Sequence, residues 1–191
     1  MRQTMRTIGL VTFALLVLTS CGDAENRAAE QEAELVRQEQ EHQRELEAGE
    51  RELVTSLQRF ESIHSEATAV TLYEISNEFD AGYANLQSNP RVAGYPITRS
   101  EKLSKDSSLP LVKVLASRST YFPPGQEWSC IFEPHHVLEL TSGGNHALAV
   151  ICLKCGDIEY VINGKSIGTR SMPSGKELHR ILKDLLPATA A

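Results

Sequence analysis

The chain has 191 residues and a formal net charge of −6, and the acidic excess lies in one stretch: residues 23–61 hold 12 acidic residues against 5 arginines and no lysine. From residue 62 onward 13 acidic residues face 12 basic ones. Neither part therefore offers the concentrated positive surface that attracts phosphate backbones, nucleic acid is not an expected partner, and the length suits one globular domain with an appendage.

At the N-terminus Arg2 and Arg6 precede an apolar run, residues 8–18, broken only by Gly9 and Thr12. A permanent bilayer-spanning helix needs roughly 20 apolar residues, so this run has the length and charge of a secretory signal peptide. It ends in Leu18-Thr19-Ser20-Cys21-Gly22, which resembles the lipobox of bacterial lipoproteins. The resemblance implies cleavage before Cys21, a diacylglyceryl group on its thiol and a further acyl chain on the freed amine. Each buried CH₂ contributes about 0.8 kcal/mol, so several chains make a firm membrane anchor. Gly22, and not an aspartate, follows the cysteine, so outer-membrane sorting towards the periplasm is expected if the host is Gram-negative. The expected organisation is a signal peptide over 1–20, a lipid anchor with charged helical spacer over 21–65, an α+β domain over 66–188 and a tail over 189–191.

Residues 24–63 are rich in Glu, Gln, Arg and Ala, contain no proline and have only Gly49 as a weak point, which predicts one long helix. Glu34 with Arg37, Glu41 with Arg44 and Glu47 with Arg51 share a surface at helical spacing, each pair contributing about 0.2–0.5 kcal/mol. Leu46, Leu53, Leu57, Phe60 and Ile63 form an apolar stripe only in the second half. Without sustained heptads the favoured reading is a solvated spacer, some 60 Å long at about 1.5 Å per residue, whose last turns dock on the domain. A coiled-coil dimer or partner-binding helix is the alternative, and the oligomeric state stays open.

Beyond Ser65 the pattern turns to short strands. Residues 70–75 read as a strand, a loop rich in Asn, Asp and Gly follows, and Pro96-Ile97-Thr98 starts a second strand. Ser108-Leu109-Pro110 is expected to open a helix with Leu111, Val112, Leu115 and Tyr121 on its apolar face, ended by Phe122-Pro123-Pro124-Gly125. The clearest signal is a hairpin: residues 135–141 alternate, Ser142-Gly143-Gly144-Asn145 turns, and residues 147–153 are continuously apolar, as in a strand buried on both faces. Residues 158–162, the Asn163-Gly164 turn and residues 165–169 form a further pair. Ser174-Gly175-Lys176-Glu177 is a capping box for a last helix carrying Leu178, Ile181, Leu182 and Leu185, stopped by Pro187. The fold class is α+β, a small, mainly antiparallel sheet with two packed helices behind a long charged N-terminal helix.

The domain carries Cys130, Cys152 and Cys155. A symmetric Gly143-Gly144 turn pairs positions summing to 287 and sets His135 opposite Cys152 on the same face; a slip of one residue would put His136 there, so the choice between the histidines stays open. Cys152-Leu153-Lys154-Cys155-Gly156 resembles a zinc knuckle, and Cys130 with one histidine would complete a Cys₃His zinc site. The pair also suits thiol redox chemistry, although the helix start after a strand that thioredoxin-like sites use is absent. The favoured reading is structural: a disulfide from Cys130 to either later cysteine, formed in an oxidising compartment, or inert buried thiols. Trp128 and Tyr121-Phe122 are read as core residues before groove residues, and His146 and His179 as solvated.

The run Cys130-Ile131-Phe132-Glu133-Pro134-His135-His136, the Gly143-Gly144 turn and Val150-Ile151-Cys152-Leu153-Lys154-Cys155 together resemble a domain of uncharacterised exported bacterial proteins, with similarity over most of residues 68–187. The resemblance puts His136 at that domain's histidine position and His135 at its basic one, and implies no activity. Hydrolase, phosphate-loop, dinucleotide and His-Glu-x-x-His motifs are absent from the sequence. The expectation is a non-enzymatic envelope lipoprotein, held to the membrane by lipid on Cys21, that binds an envelope protein or component. The alternative is a zinc or thiol-redox module.

Overall fold

A computed structural model describes residues 4–123, 130–172 and 175–186, with side chains from Arg27 onward except at residues 28, 169 and 170. In chain order the elements are α1 (Thr4–Ser65), β1 (Ala69–Ile75), β2 (Arg91–Val92), β3 (Tyr95–Leu103), α2 (Lys105–Ala116), β4 (His136–Ser142), β5 (Asn145–Cys152), β6 (Asp157–Ile162), β7 (Lys165–Ser171) and α3 (Lys176–Leu185). Short 3₁₀ turns stand at Tyr83–Leu86 and Arg118–Thr120. The chain divides into two compact units, Met1–Ala48 and Gly49–Ala191.

The first unit is helical throughout its described length. Arg37 pairs with Glu34 at 2.7 Å, the i,i+3 contact expected of a solvated helix, and Leu35 and Val36 stand exposed. Among the described residues no helix is long and apolar enough to cross a membrane.

The second unit is an α+β domain. Its seven strands run in the order β2-β3-β1-β4-β5-β6-β7, with every pairing antiparallel. β5 is buried along nearly its whole length, because residues of both parities meet an apolar layer. On one face Leu72, Leu138, Leu140, Ala149, Ile151, Ile158 and Tyr160 pack against side chains of all three helices. On the other face Ile75, Val137, Leu148 and Val150 meet Val92, Tyr95 and Phe132 from neighbouring segments.

The domain begins earlier than residue 66. Leu53, Leu57, Phe60 and Ile63, at the end of α1, are each at most 4 % exposed, so the apolar stripe is core and not linker. Phe60 meets Tyr160 edge to face at 5.2 Å between ring centres. Polar contacts fix the same turns: Arg118 grips the Glu50 carboxylate through Nε at 2.5 Å and Nη2 at 2.8 Å, Lys105 caps the Ser65 carbonyl, and His64 Nε2 meets the Ser108 hydroxyl at 2.8 Å.

Two helix starts differ from expectation. α2 opens at Lys105, because the Ser104 hydroxyl accepts from the Ser107 N–H; Ser108 is buried inside the helix, where it serves His64. Pro110 therefore sits within the helix and removes one N–H from the ladder without preventing burial of Leu111, Val112 and Leu115. Tyr121 lies beyond α2, yet is buried as core. α3 has Gly175 at its N-cap with no side-chain cap; Ser174, expected to cap it, lies outside the described residues, as do Trp128 and Pro187.

Two outcomes follow. A fragment of residues 49–191 folds cooperatively in urea, whereas one starting at residue 66, stripped of four core side chains, shows no cooperative transition. In the full chain Phe60→Ala lowers the stability of the domain by about 3–5 kcal/mol, read from the shift of the same urea midpoint.

Candidate functional site

The hairpin register is the one a symmetric turn dictates: His136 pairs with Ile151 and Val137 with Val150, and Gly143 and Gly144 both take positive φ, as a two-residue primed turn requires. Alternation then divides the histidines. His136 faces α3, where it lines a pocket with His179 and Leu182. His135 lies just before β4 and bonds through its N–H to the Ile151 carbonyl, level with Cys152.

The cysteines do not converge on either histidine. Cys130 and Cys155 form a disulfide across 25 residues, and Cys152 is a buried free thiol. The Cys-x-x-Cys segment closes on Gly156, whose φ is +74° and whose Cβ, were there one, would stand 2.9 Å from the Met172 carbonyl oxygen; only glycine fits that turn. With two of the three thiols joined to each other, a Cys₃His set is not assembled in this state. Among the described residues no three His, Cys, Asp or Glu side chains are grouped to hold a metal.

His135 is instead the clamp of a loop. Its Nε2 lies 3.0 Å from Asp80 Oδ1 and 3.2 Å from Asn77 Nδ2. A carboxylate only accepts, so Nε2 carries a proton towards Asp80, and the Asn77 amide turns to the Pro134 carbonyl. Asp80 Oδ2 also accepts from the Ser76 hydroxyl and the Asn77 N–H, each at 2.8 Å. Burial pushes the Asp80 carboxyl upward, but these donors outweigh it and hold the group below its ordinary range. Asn77 Oδ1 takes the Phe79 N–H at 2.9 Å, the Asx turn that Asn forms readily.

The clamp fixes one wall of a cleft of about 280 Å³ lined by Asn77, Glu78, Phe79, Tyr83, Ala93, Gly94, Tyr95 and Phe132. Two of the chain's five phenylalanines and two of its five tyrosines thus meet at one place. Phe79 is 59 % exposed, so its ring is open to solvent at the cleft. Phe132 comes from the segment between the disulfide and the His135 clamp, so a covalent bond and a hydrogen bond bracket it. A broader groove of about 550 Å³ lies between α2 and α3, but its lining mixes Asp106, Lys113, Glu177 and Arg180 as an ordinary helix seam does.

No family model, curated protein or solved structure matches the chain. The candidate site therefore rests on its own geometry.

The sequence reading passed over residues 77–95 as a loop. Its signal was the run Asn77-Glu78-Phe79-Asp80, two turn-forming side chains around an apolar one. His146, expected to be solvated, is 41 % exposed and also has a partner. His146 Nε2 lies 2.7 Å from Glu139, which in turn accepts from the Tyr73 hydroxyl at 2.6 Å; burial first, then that carboxylate, push the Tyr73 hydroxyl up to about 12.

The disulfide leaves a thiol count that can be checked. In a Cys21→Ser chain purified from an oxidising compartment, a thiol reagent reacts with one group per chain, and only after denaturation; Cys130→Ser lowers stability by about 3 kcal/mol as the cross-link is lost. Reaction of all three domain cysteines before denaturation would contradict the pairing.

His136 makes stability depend on pH. Its Nδ1 is buried with no hydrogen-bond partner among the described residues, and burial, then repulsion from His135 and His179, hold its pKa down to about 4. The unfolded chain takes up a proton below about 6.5 while the folded one does not, so stability present above that pH falls as the pH drops towards 4, by up to about 3 kcal/mol. His136→Leu flattens this part of the profile in urea melts at stepped pH. Part of the slope persists through His64, held low by burial and then by Lys105.

Proposed function

We propose that the chain is an exported envelope lipoprotein, cut before Cys21 and anchored by lipid on that cysteine, whose α+β domain is a non-enzymatic binding module that uses the aromatic cleft. The observation that carries the binding reading is the cleft itself, a preformed pocket of four aromatic rings whose wall is clamped by His135 and Asp80. Aromatic side chains beside a few fixed polar groups recur in small-ligand sites. The Cys130–Cys155 disulfide supports export, because such bonds persist in oxidising compartments. The anchor reading rests on the lipobox-like Leu18-Thr19-Ser20-Cys21 and the signal-like run before it. With Gly22 after the cysteine, the outer membrane facing the periplasm is the proposed address in a Gram-negative host.

The anchor is tested by labelling cells with palmitate and fractionating their membranes. The wild-type chain takes the label and sediments with membrane, and Cys21→Ser abolishes the label and leaves an uncleaved precursor. Label retained in Cys21→Ser would remove the lipoprotein reading. The binding module is tested with a panel of small organic cations, their neutral isosteres and short oligosaccharides, titrated calorimetrically into the purified chain. At least one class binds saturably and loses affinity in Tyr95→Leu; silence across the panel would remove the cleft as a binding site.

A further inference from the structure

We propose that the aromatic cleft takes an organic cation, an ammonium, trimethylammonium or guanidinium group seated over the rings of Phe79, Tyr83, Tyr95 and Phe132 and against the carboxylate of Glu78. This deepens the binding-module reading and rests on it. Four observations select the class.

First, among the described residues the lining includes one carboxylate, Glu78, and no Lys, Arg or His. A second carboxylate, Glu159, lies within electrostatic reach of Tyr95. Arg91, in the strand before Ala93 and Gly94, turns its guanidinium to the Gly94 carbonyl at 2.6 Å and to Gln87 at 2.9 Å. The one charged side chain of the described lining is therefore an anion.

Second, each ring face carries the negative part of an aromatic quadrupole, and rings around one space attract a cation from several sides. Each ring sits on a placed segment: Phe79 in the clamped 76–80 loop, Tyr83 at the start of the 3₁₀ turn, Tyr95 at the start of β3 and Phe132 between the disulfide and His135.

Third, the other polar lining group is occupied. The Asn77 side chain is 3 % exposed and its amide is engaged by the Phe79 N–H and the Pro134 carbonyl. Among the lining side chains that leaves Glu78 and the two tyrosine hydroxyls, fewer groups than the hydroxyls of a saccharide would occupy. A weakly hydrated cation needs few hydrogen bonds.

Fourth, about 280 Å³ is below the usual range for drug-sized ligands and suits one headgroup or the end of one side chain. Such a group has two sources, a free small cation or an arginine or lysine side chain of a protein partner, and they share the same chemistry.

The test is calorimetry on the purified full chain with two matched pairs: choline against its neutral isostere 3,3-dimethylbutan-1-ol, and Nα-acetyl-arginine amide against Nα-acetyl-citrulline amide. At least one cation binds about tenfold more tightly than its isostere. Glu78→Gln, at an exposed loop position, removes most of that preference, and Tyr95→Leu weakens the cation more than the isostere. A preference shown by choline alone assigns a free headgroup, and one shown by the arginine probe a partner's side chain. Equal binding of each cation and its isostere overturns the proposal, as does a full cation preference in Glu78→Gln, which would place the cation elsewhere. Tight binding of an oligosaccharide with no cation preference also overturns it while leaving the cleft a binding site.

Discussion

A phenol hydroxyl taken out of water must find a partner, and in this domain that need, at Tyr160, organises the core. Tyr160 is 2 % exposed, and its hydroxyl meets both the Tyr121 hydroxyl and the carbonyl of Leu115. Tyr121 reaches the same carbonyl at 2.6 Å. Leu115 stands in the last turn of α2, where carbonyls lack helical partners, so one knot satisfies a strand, a helix end and the turn beyond it. The Phe60 ring rests edge-on against Tyr160, which brings α1 into the same knot. Burial and hydrogen bonding are thus solved together by residues far apart in the chain.

From that knot the two faces of the sheet take different roles. The helix-covered face holds the larger cluster and, at its margin, His136, whose unpartnered nitrogen makes that margin sensitive to acid. The opposite face has no helix on it among the described residues. It is covered by loops, and a loop can cover apolar strands only if something else holds it in place. The His135–Asp80 hydrogen bond and the Cys130–Cys155 disulfide do so, and Phe132 of the aromatic cleft lies between the two in the chain. Stability and a candidate binding surface therefore come from the same devices on that side of the domain.

The contrast between α1 and the cysteines shows what could be read in advance. Leu53, Leu57, Phe60 and Ile63 recur at helical spacing, so their docking was legible, although it was assigned to the last turns of a spacer; their extent shows that the domain itself starts near Gly49. The cysteines offered no such period. Three thiols admit several pairings, and the choice of Cys155 over Cys152 depends on which side chain leaves the sheet: Cys152 ends β5 and points into the interior, while Cys155 sits in the turn beyond it. His135 and His136, neighbours in sequence, are separated by the pleat.

By itself the sequence determined the features whose interactions close within a few residues: the lipobox-like run, the long charged helix, the Gly143-Gly144 hairpin, the Asn163-Gly164 turn and the apolar stripe of the last helix. These follow from backbone hydrogen bonding, positive-φ turns and side-chain periodicity, all of which are local. Only the tertiary structure decided what forms across long separations: the strand order, the Tyr160 knot, the partner of Cys130, the clamp between His135 and Asp80 and the meeting of Phe79, Tyr83, Tyr95 and Phe132. Those contacts depend on which surfaces bury one another, a property of the whole chain that no local pattern encodes.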